Sequence, residues 1–264
     1  MKNKTLYSLL LASCVIGFWL FEEFYVPDTH AIESTGEQGI EAEYLPSSST
    51  GAVVRHEHYT LSYSEAHEQA EWVAYGLKPG HLTQDNRKRP FFIEDPRVAT
   101  GSADWRNYRG SGYDRGHLCP AGDRRFSEAA YNETFYTSNI SPQGKGFNAG
   151  IWNRLEQQVR SWCRRHGDLI VVTGGILEKG LEEIGEEDVD VPRAFYKIVL
   201  RNSGEEMVAL AFLIPGVESQ RPLSDFLVTV DSLETLTGLD FFEKLPQEWQ
   251  QRVESRAGPS LWRF

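Results

Sequence analysis

Short apolar runs bounded by turn residues are the main pattern in the middle and C-terminal parts of the chain, and they predict strands. They lie at His58–Tyr63, Glu71–Tyr75, Leu169–Thr173, Phe195–Leu200 and Met207–Ile214. The last two runs flank Asn202-Ser203-Gly204, a turn sequence typical of a β-hairpin. Strands that outnumber helices predict an α+β domain with a mainly antiparallel sheet.

The clearest helical pattern begins near Asn148. Apolar residues recur at helical spacing and would form one buried face: Ile151, Leu155, Val159 and Trp162. A second, mostly polar stripe recurs every fourth residue: Asn148, Trp152, Glu156 and Arg160. We therefore expect a helix that runs to about Arg165, with Asn148 at its start.

The C-terminal third is harder to assign. Ser224–Glu234 is predicted to begin as a strand and continue as a loop. Asp240–Glu254 is predicted to be helical, with an interruption at Pro246.

The N-terminus carries a targeting signature. An uncharged apolar stretch, Thr5–Phe21, follows Lys2 and Lys4, so residues 1–25 are predicted to be a signal peptide or signal anchor. The four residues that end at Cys14 also fit a lipoprotein processing site. The polar residues 26–52 predict a linker, and residues 53–264 the globular domain. The expected location is extracytoplasmic: periplasmic, secreted, or anchored in a membrane through this segment only.

Charge is distributed unevenly along the chain. The formal net charge of −11 argues against a stoichiometric nucleic-acid binder. Locally, however, basic residues dominate: Arg87, Lys88, Arg89, Arg106, Arg109, Arg115, Arg124 and Arg125. Guanidinium groups match phosphate oxygens well, so this region is a candidate phosphate-binding surface. The alternative is an ordinary solvated basic surface.

Two residues in and after this region have the right chemistry for hydrolysis. A neutral imidazole such as that of His117 can accept a proton from water, and a neighbouring arginine would lower its pKa and keep it free. The carboxamide oxygen of Asn148 is a hard neutral ligand suited to Mg²⁺. For Glu156 and Arg160 the alternative is a solvated ion pair of a few tenths of a kcal/mol.

The cysteines allow a different interpretation. Cys119 and Cys163 could pair in an oxidising compartment. Alternatively, His117-x-Cys119 and Cys163-x-x-His166 together offer four zinc ligands, which would suit a zinc-stabilised binding module without catalysis.

Several separated motifs resemble the DNA/RNA non-specific endonucleases of the ββα-metal superfamily. Asp114–His117 is similar to their DRGH signature, and Ser138–Gln143 followed by Asn148, Trp152, Leu155 and Glu156 is similar to their second block. Over residues 87–173 the chain resembles the endonuclease G type most. The resemblance implies a ββα-metal nuclease core on a mainly antiparallel mixed sheet flanked by helices. It also implies metal-dependent, sequence-non-specific hydrolysis of DNA and RNA.

The resemblance assigns roles at the reaction centre. His117 would be the general base, and Asn148 the sole direct protein ligand of a Mg²⁺, for which Mn²⁺ or another divalent cation could substitute. Glu156 would be an acidic residue that holds metal-bound waters. Asn139 would orient the histidine region.

Further roles concern the phosphate. Arg115 would support the phosphate site, and Arg160 would be a substrate-binding residue. Either Arg87 or Arg89 would contact the scissile phosphate, and the sequence does not choose between them. The family commonly has alanine where this chain has Cys119, which leaves the role of that thiol open.

The resemblance also bears on partners. DNA and RNA would be substrates, and the endonuclease G branch leaves a homodimer open. The competing hypotheses are a nuclease-like domain that has lost catalysis and a phosphodiesterase that acts on small molecules.

Overall fold

One large sheet organises the molecule, whose computed structural model describes residues 40–204, 206–255 and 262. Its seven strands follow the order β1-β2-β3-β6-β9-β10-β11, and every neighbouring pair is antiparallel. Two further strand pairs, β4–β5 and β7–β8, lie outside it. The strands are β1 Val53–Arg55, β2 Thr60–Ser64, β3 Gln69–Leu77, β4 Tyr113–His117, β5 Ile140–Gly144, β6 Leu169–Gly175, β7 Glu182–Ile184, β8 Val189–Val191, β9 Ala194–Asn202, β10 Met207–Pro215 and β11 Leu227–Val228.

The central strands are buried on both faces, because a layer of helix covers each side. In β3, Val73 and Tyr75 belong to one core while Trp72 and Ala74 belong to the other, as the period of two in a strand requires. The first core also contains the apolar face of the helix predicted after Asn148. The second contains residues of the two C-terminal helices.

In the described part of the chain, four α-helices have more than one turn: α1 Glu128–Glu133, α2 Asn153–His166, α3 Val230–Thr237 and α4 Gln247–Glu254. The prediction that Ser224–Glu234 begins as a strand and continues as a loop is wrong over most of its length. A 3-10 turn spans Leu223–Phe226, the strand is confined to Leu227–Val228, and α3 replaces the predicted loop. The Thr229 hydroxyl caps the amide of Ser232, and Val230 and Leu233 form a buried helical face there. Helix α4 begins only after Pro246, which stands at its N-cap, so Asp240–Leu245 is not helical.

The ββα arrangement implied by the resemblance is formed by β4, β5 and α2. Strand β4 pairs with β5, with His117 opposite Ile140 and Asp114 opposite Gln143. One α-helical turn, Lys145–Phe147, and one π-helical turn, Asn148–Trp152, then lead into α2. The α+β fold with a mainly antiparallel sheet is therefore confirmed. Among the described residues there is no helix long and apolar enough to cross a membrane.

The compact domain begins before Val53. Tyr44 and Leu45 are buried, and the indole Nε1 of Trp72 donates to the carbonyl of Ser47 at 2.8 Å. The segment predicted as a linker is therefore part of the domain from residue 40 onward, because these contacts satisfy its polar groups. Residues 1–39, which carry the predicted targeting signal and the start of that linker, lie outside the described residues.

Candidate active site

A pair of aromatic rings forms the floor of the site. Phe92, from the loop before β4, and Phe135, just after α1, have ring centroids 5.1 Å apart, and both are buried. The imidazole of His117 lies against both, at 5.7 Å from Phe92 and edge-on at 5.0 Å from Phe135. These contacts hold the imidazole at the end of β4 without using its nitrogen atoms.

Two guanidinium groups rest on the same rings. Arg89 lies over Phe92 at 5.2 Å and over Phe135 at 5.6 Å. Arg115 lies over Phe92 at 4.9 Å and over Trp105 at 5.9 Å. A guanidinium that lies over an aromatic ring can keep its N–H donors available for a phosphate, because the ring accepts none of them as a conventional hydrogen bond. Phe92 is thus the common contact of two cations and the predicted base.

The environment keeps His117 neutral. Burial, and next the charge of Arg89, lower the pKa of this histidine to about 3. The sequence had suggested the adjacent Arg115 as the cause, but burial is the larger effect and Arg89 supplies the charge. Within the described part of the chain, the buried Nε2 atom of His117 has no hydrogen-bond partner. An unpaired buried polar atom costs about 1–3 kcal/mol, and such costs are tolerated mainly where function requires them.

Asn139 fixes the backbone that follows His117. It is fully buried, and its Oδ1 accepts the amide of Cys119 at 2.8 Å. Its Nδ2 donates to the carbonyls of Cys119 at 3.0 Å and Thr134 at 2.9 Å. The carboxamide therefore acts on the main chain beyond the histidine and makes no hydrogen bond to the imidazole.

Gly116 allows β4 to pack closely beside β5. A Cβ added at this position would lie 2.1 Å from the side-chain Cδ of Gln143, which is buried. Any larger residue would displace the buried side chain of Gln143.

Asn148 is oriented by the same strand that carries His117. Its Nδ2 donates to Oδ2 of Asp114 at 3.2 Å. Because the amide nitrogen is engaged, the carboxamide oxygen is the atom left for a cation. Asn148 opens the π-helical turn, in which Gly150 departs from helical geometry with ψ −109°, and π-turns are frequent at functional sites. The residues present fit a hydrated divalent cation, since a neutral oxygen with a neighbouring carboxylate is a donor set that Mg²⁺ prefers.

Glu156 and Arg160 are half-buried and belong to an ionic network with the buried Asp123, not to a solvated surface pair. Nη2 of Arg160 donates to Glu156 at 3.2 Å, and its Nε donates to Asp123 at 2.5 Å. The hydroxyl of Tyr75 also donates to Asp123, at 2.9 Å. Desolvation raises the pKa of Glu156 to about 7, against the opposing charge of Arg160. Two nitrogen atoms of Arg160 already donate to carboxylates. Arg160 therefore has fewer N–H donors available for a phosphate than Arg89 has.

The two candidate phosphate ligands upstream differ in their surroundings. Arg87 donates through Nε to the carbonyl of Arg125 at 2.9 Å and forms an ion pair with Asp85 at 2.7 Å. Arg89 is exposed and lies beside His117. The structure therefore favours Arg89 over Arg87 as the residue beside the base.

The positive surface is smaller than the sequence suggested. Arg124 is buried, donates to the carbonyl of Gly76 at 2.9 Å and lies over the Tyr75 ring, so it supports the core. Arg106 forms an ion pair with Asp104, and together with Arg109 it lines a groove rich in acidic residues: Glu94, Glu182, Glu183, Glu186 and Glu187. The cations near the base are thus mainly Arg89 and Arg115.

The zinc interpretation is wrong for the residues proposed. Cys119 and Cys163 are buried free thiols. In the described part of the chain, two clusters could hold a metal through histidine, cysteine or carboxylate ligands, and neither includes His117, Cys119, Cys163 or His166. Burial raises the pKa of Cys119 to about 12, so this thiol is an inert packing group.

Sequence reasoning missed the aromatic scaffold and part of the ionic network. Phe92, Phe135 and Trp105 carry no chemical signature, and only the tertiary structure brings them together. Asp114 stands in the DRGH motif and could have been identified as a partner of Asn148. Lys197 lies inside an apolar strand, and a charged residue in a buried run was the available signal.

Comparison with known proteins agrees with this geometry. Residues 37–248 match the family described as DNA/RNA non-specific endonuclease. The zebrafish (Danio rerio) protein named nuclease EXOG, mitochondrial, is 37% identical over 207 residues, which cover 72% of this chain and 60% of that protein. Human endonuclease G, mitochondrial, is 36% identical over 200 residues, which cover 70% of this chain and 67% of that protein.

A solved structure shows the same fold. The crystal structure described as the EndoG/EndoGI complex has a TM-score of 0.70 and 31% sequence identity, and the match covers 78% of this chain and 91% of that one. The chain spans 60% of the length of the zebrafish relative and 73% of the mouse (Mus musculus) nuclease EXOG.

The predicted extracytoplasmic location is wrong. The EXOG and endonuclease G relatives are named as mitochondrial nucleases, in contrast to an exported, periplasmic or secreted protein. The prediction rested on an apolar N-terminal segment. An apolar segment of that length favours insertion into a lipid bilayer, but its hydrophobicity does not specify the cellular compartment to which the chain is targeted.

Two thirds or more of the chain matches the family model, the relatives and the solved structure, and the residues that build the site lie inside the matched range. The resemblance to the non-specific endonucleases that the sequence motifs indicated is therefore confirmed. The chain belongs to the DNA/RNA non-specific endonuclease family.

Proposed function

We propose that this chain is a metal-dependent endonuclease that hydrolyses phosphodiester bonds of DNA and RNA, with His117 as general base. The observation that carries this proposal is the convergence of His117, Arg89 and Arg115 on the single ring of Phe92. A base beside two guanidinium groups is suited to an anionic ester, because the cations bind the phosphate while the base activates water.

The protonation state of His117 supports its role. With a pKa lowered to about 3, the free imidazole is neutral throughout the neutral range. Because Nε2 is buried, we assign the role of proton acceptor to Nδ1, which requires the ring proton to be on Nε2. Nδ1 of His117 takes a proton from water as the oxygen attacks phosphorus, and the 3′ oxygen leaves on the opposite side.

The phosphate is held by the two arginines and not by base edges. Arg89 and Arg115 present N–H donors to phosphate oxygens and stabilise the charge that develops in the transition state. Contacts of this kind carry little sequence information, which accounts for non-specific cleavage of both DNA and RNA.

Asn148 would hold the cation through its carboxamide oxygen, with Asp114 fixing the amide and Glu156 ordering bound waters. When bound, Mg²⁺ supplies charge stabilisation to the phosphate oxygens and the leaving group. Mn²⁺ is a further candidate, because it shares the preference for oxygen ligands. A homodimer stays a prediction.

The test is digestion of supercoiled plasmid and of a long RNA by the purified protein, with Mg²⁺, with Mn²⁺ and with a chelator. We expect cleavage of both substrates, and loss of cleavage with the chelator. His117→Ala should lower the rate by at least about a hundredfold while the circular dichroism spectrum stays unchanged. Normal cleavage by His117→Ala would rule out this base.

Asn148→Ala provides the matched test of the cation site. We expect the Mg²⁺ concentration for half-maximal rate to rise, because the carboxamide oxygen is lost. An unchanged Mg²⁺ dependence with a reduced rate would argue against Asn148 as a ligand and leave the base assignment standing.

A further inference from the structure

A buried histidine–aspartate pair is connected to both chain segments that carry the aromatic floor, Phe92 and Phe135. Nε2 of His56 and Oδ2 of Asp95 are 2.8 Å apart, and both side chains are fully enclosed. His56 comes from the connection between β1 and β2, whereas Asp95 follows Phe92 by three residues. A buried pair of this kind contributes little net stability, so its importance lies in the groups that its geometry holds.

Asp95 links the two segments through its side chain and through its main chain. Its Oδ2 accepts the hydroxyl of Ser138 at 2.5 Å. Its amide donates to the hydroxyl of Ser102 at 2.7 Å, and that hydroxyl lies 2.8 Å from the hydroxyl of Thr137. All three hydroxyl residues are buried, so these hydrogen bonds do not compete with water.

The backbones of the two segments are also paired, but only briefly. The amide of Ile93 donates to the carbonyl of Phe135 at 3.3 Å, and the amide of Thr137 donates to the carbonyl of Ile93 at 2.9 Å, which forms a parallel bridge. The rings of Phe92 and Phe135 project from these segments and lie 5.1 Å apart. One bridge provides few hydrogen bonds, so the links made by Asp95 are needed to keep the two rings in register.

His56 is placed to donate to Asp95. Its imidazole stacks on the ring of Tyr136 at 5.3 Å and lies 4.6 Å from the ring of Tyr59. Within the described residues, its buried Nδ1 atom has no hydrogen-bond partner. An unpaired nitrogen atom in the interior is unfavourable, so the contact that accounts for a histidine at this position is the one from Nε2 to the carboxylate.

The charge of Asp95 agrees with this arrangement. Burial raises the pKa of Asp95, but the hydrogen bond and charge of His56, followed by the Ser138 hydroxyl and the Arg97 amide, bring it below its usual value. The amide of Arg97 donates to Oδ1 at 2.9 Å. Asp95 is therefore an ionised carboxylate at neutral pH, and as an ion it accepts from all three donors.

We propose that Asp95 is a positioning residue for phosphate binding and that His56 orients its carboxylate, so that the aromatic floor holds Arg89 and Arg115 in place. Both guanidinium groups rest on this floor. The inference rests on the proposed function, since the positions of these arginines affect the rate only if they bind the phosphate.

The first experiment observes the floor without any cleavage. Ring currents of Phe92 and Phe135 shift the NMR signals of the His117 ring protons, which are recorded in the wild type, His56→Leu and His56→Gln. Leucine removes the donor to Asp95, whereas glutamine places an amide donor near the position of Nε2. We expect the His117 signals to move toward unfolded-chain values in His56→Leu and to stay near the wild-type values in His56→Gln. Unchanged signals in His56→Leu, or equal changes in both variants, would overturn the inference and leave the nuclease function standing.

The second experiment measures binding of a fluorescent single-stranded oligonucleotide in the presence of a chelator, over a range of salt concentrations. His56→Leu should weaken binding about tenfold and reduce the slope of log Kd against log salt by about one, as expected for loss of one arginine–phosphate contact. In cleavage assays KM should rise by a similar factor, with a smaller fall in kcat. A fall in kcat with unchanged KM and salt slope would contradict the proposal.

A double variant tests whether His56 acts through Arg89. Adding His56→Leu to Arg89→Ala should weaken binding less than His56→Leu does in the wild type, because one of the cations that it positions is already absent. Fully additive losses of binding would show that the two residues act independently.

Leu233→Ala is the matched control for lost stability. Leu233 is buried in α3 in the core that contains the C-terminal helices, whereas both floor residues belong to another cluster. The variant leaves a cavity, so it should lower Tm at least as much as His56→Leu while the His117 signals, KM and salt slope stay unchanged. An equal rise of KM in Leu233→Ala would refute the positioning role. Absence of cleavage by the wild type would refute the proposed function, and the NMR result would still decide the inference about the floor.

Discussion

Two clusters of charge lie along the ββα unit, and they are built in opposite ways. At the end of β4, Arg89 and Arg115 rest on aromatic faces, and no carboxylate in the described part of the chain forms an ion pair with either. Under α2, Arg160 is paired with both Asp123 and Glu156.

This difference in pairing suits one cluster to binding a phosphate and the other to positioning a helix. Cations supported by aromatic rings keep their donors free, so their positive potential is available to a polyanion. A cation paired with carboxylates, such as Arg160, contributes little to that potential but fixes α2, which carries Glu156. A chain with net charge −11 can therefore present a positive site without being basic overall.

The largest effect on stability should come from the paired cluster. In Asp123→Ala, Arg160 and Tyr75 lose a buried partner, and removal of one member of such a pair costs about 3–5 kcal/mol. Urea unfolding followed by circular dichroism measures this. The control is Asp85→Ala, which removes an exposed ion pair and should cost less than about 0.5 kcal/mol. Equal costs for the two variants would contradict the contrast drawn between the clusters.

Acid should destabilise the protein through His117. Its pKa is about 3 in the folded chain and near 6.5 when unfolded, so the unfolded state binds the proton first as pH falls below 6.5. The contribution of His117 to the free energy of unfolding is therefore fully present above pH 6.5, and it decreases as the pH falls toward 3. Between pH 7 and pH 4.5 the loss should be on the order of 2 kcal/mol.

The check compares thermal unfolding of the wild type and of His117→Asn at both pH values. The variant should lose less stability on acidification, because it has no imidazole to protonate. Parallel pH dependence in the two proteins would show that His117 titrates normally.

Arg89 and Arg87 should differ in their effect on rate. Arg89→Ala removes a guanidinium beside the base and should lower kcat/KM by about tenfold to a hundredfold, as expected for a hydrogen bond to a charged group. Arg87→Ala breaks only a surface ion pair and a carbonyl contact, so the rate should stay within about threefold. The measurement is cleavage of a fluorescent oligonucleotide. A larger loss of kcat/KM in Arg87→Ala than in Arg89→Ala would indicate that Arg87 is the residue that contacts the phosphate.

The smallest effect should come from the aromatic support of Arg115. Trp105→Leu removes one ring face from the guanidinium, a contact worth about 0.5–1 kcal/mol, and should raise KM about two- to fivefold with little change in kcat. Trp249→Leu, which removes the ring under Arg252 in α4, is the matched control and should leave KM unchanged. A KM change of the same size in both variants would indicate a general loss of stability.

Most of the sheet could be predicted from the sequence, because buried strands require apolar side chains on both faces and turns require glycine, asparagine or proline. The β9–β10 hairpin and strands β2, β3 and β6 were found in this way. Helix α3 was missed because an eight-residue helix presents only two buried positions, Val230 and Leu233, too few for a visible period.

For the candidate site, the sequence predicted which residue types are present but not the contacts that hold them. The motifs singled out His117, Asn139 and Asn148 by residue type, but their contacts with Phe135, Cys119 and Asp114 come from the tertiary structure. The sequence could not distinguish Arg87 from Arg89, because two arginines two residues apart differ only in the residues that contact them in the folded chain. The same holds for Glu156 and Arg160, whose spacing is equally that of a solvated pair.

By itself, the sequence predicted most of the antiparallel sheet and named the side chains that are candidates to bind phosphate and activate water, because these depend on local periodicity and on the chemistry of individual side chains. The ββα motif was implied by the resemblance of separated motifs to a known family. Tertiary structure decided which cations stay free, which are neutralised, and how far each pKa moves. Those properties depend on the distances between charged groups that are remote in the chain and on how far each group is removed from water. Neither quantity can be deduced from the sequence alone.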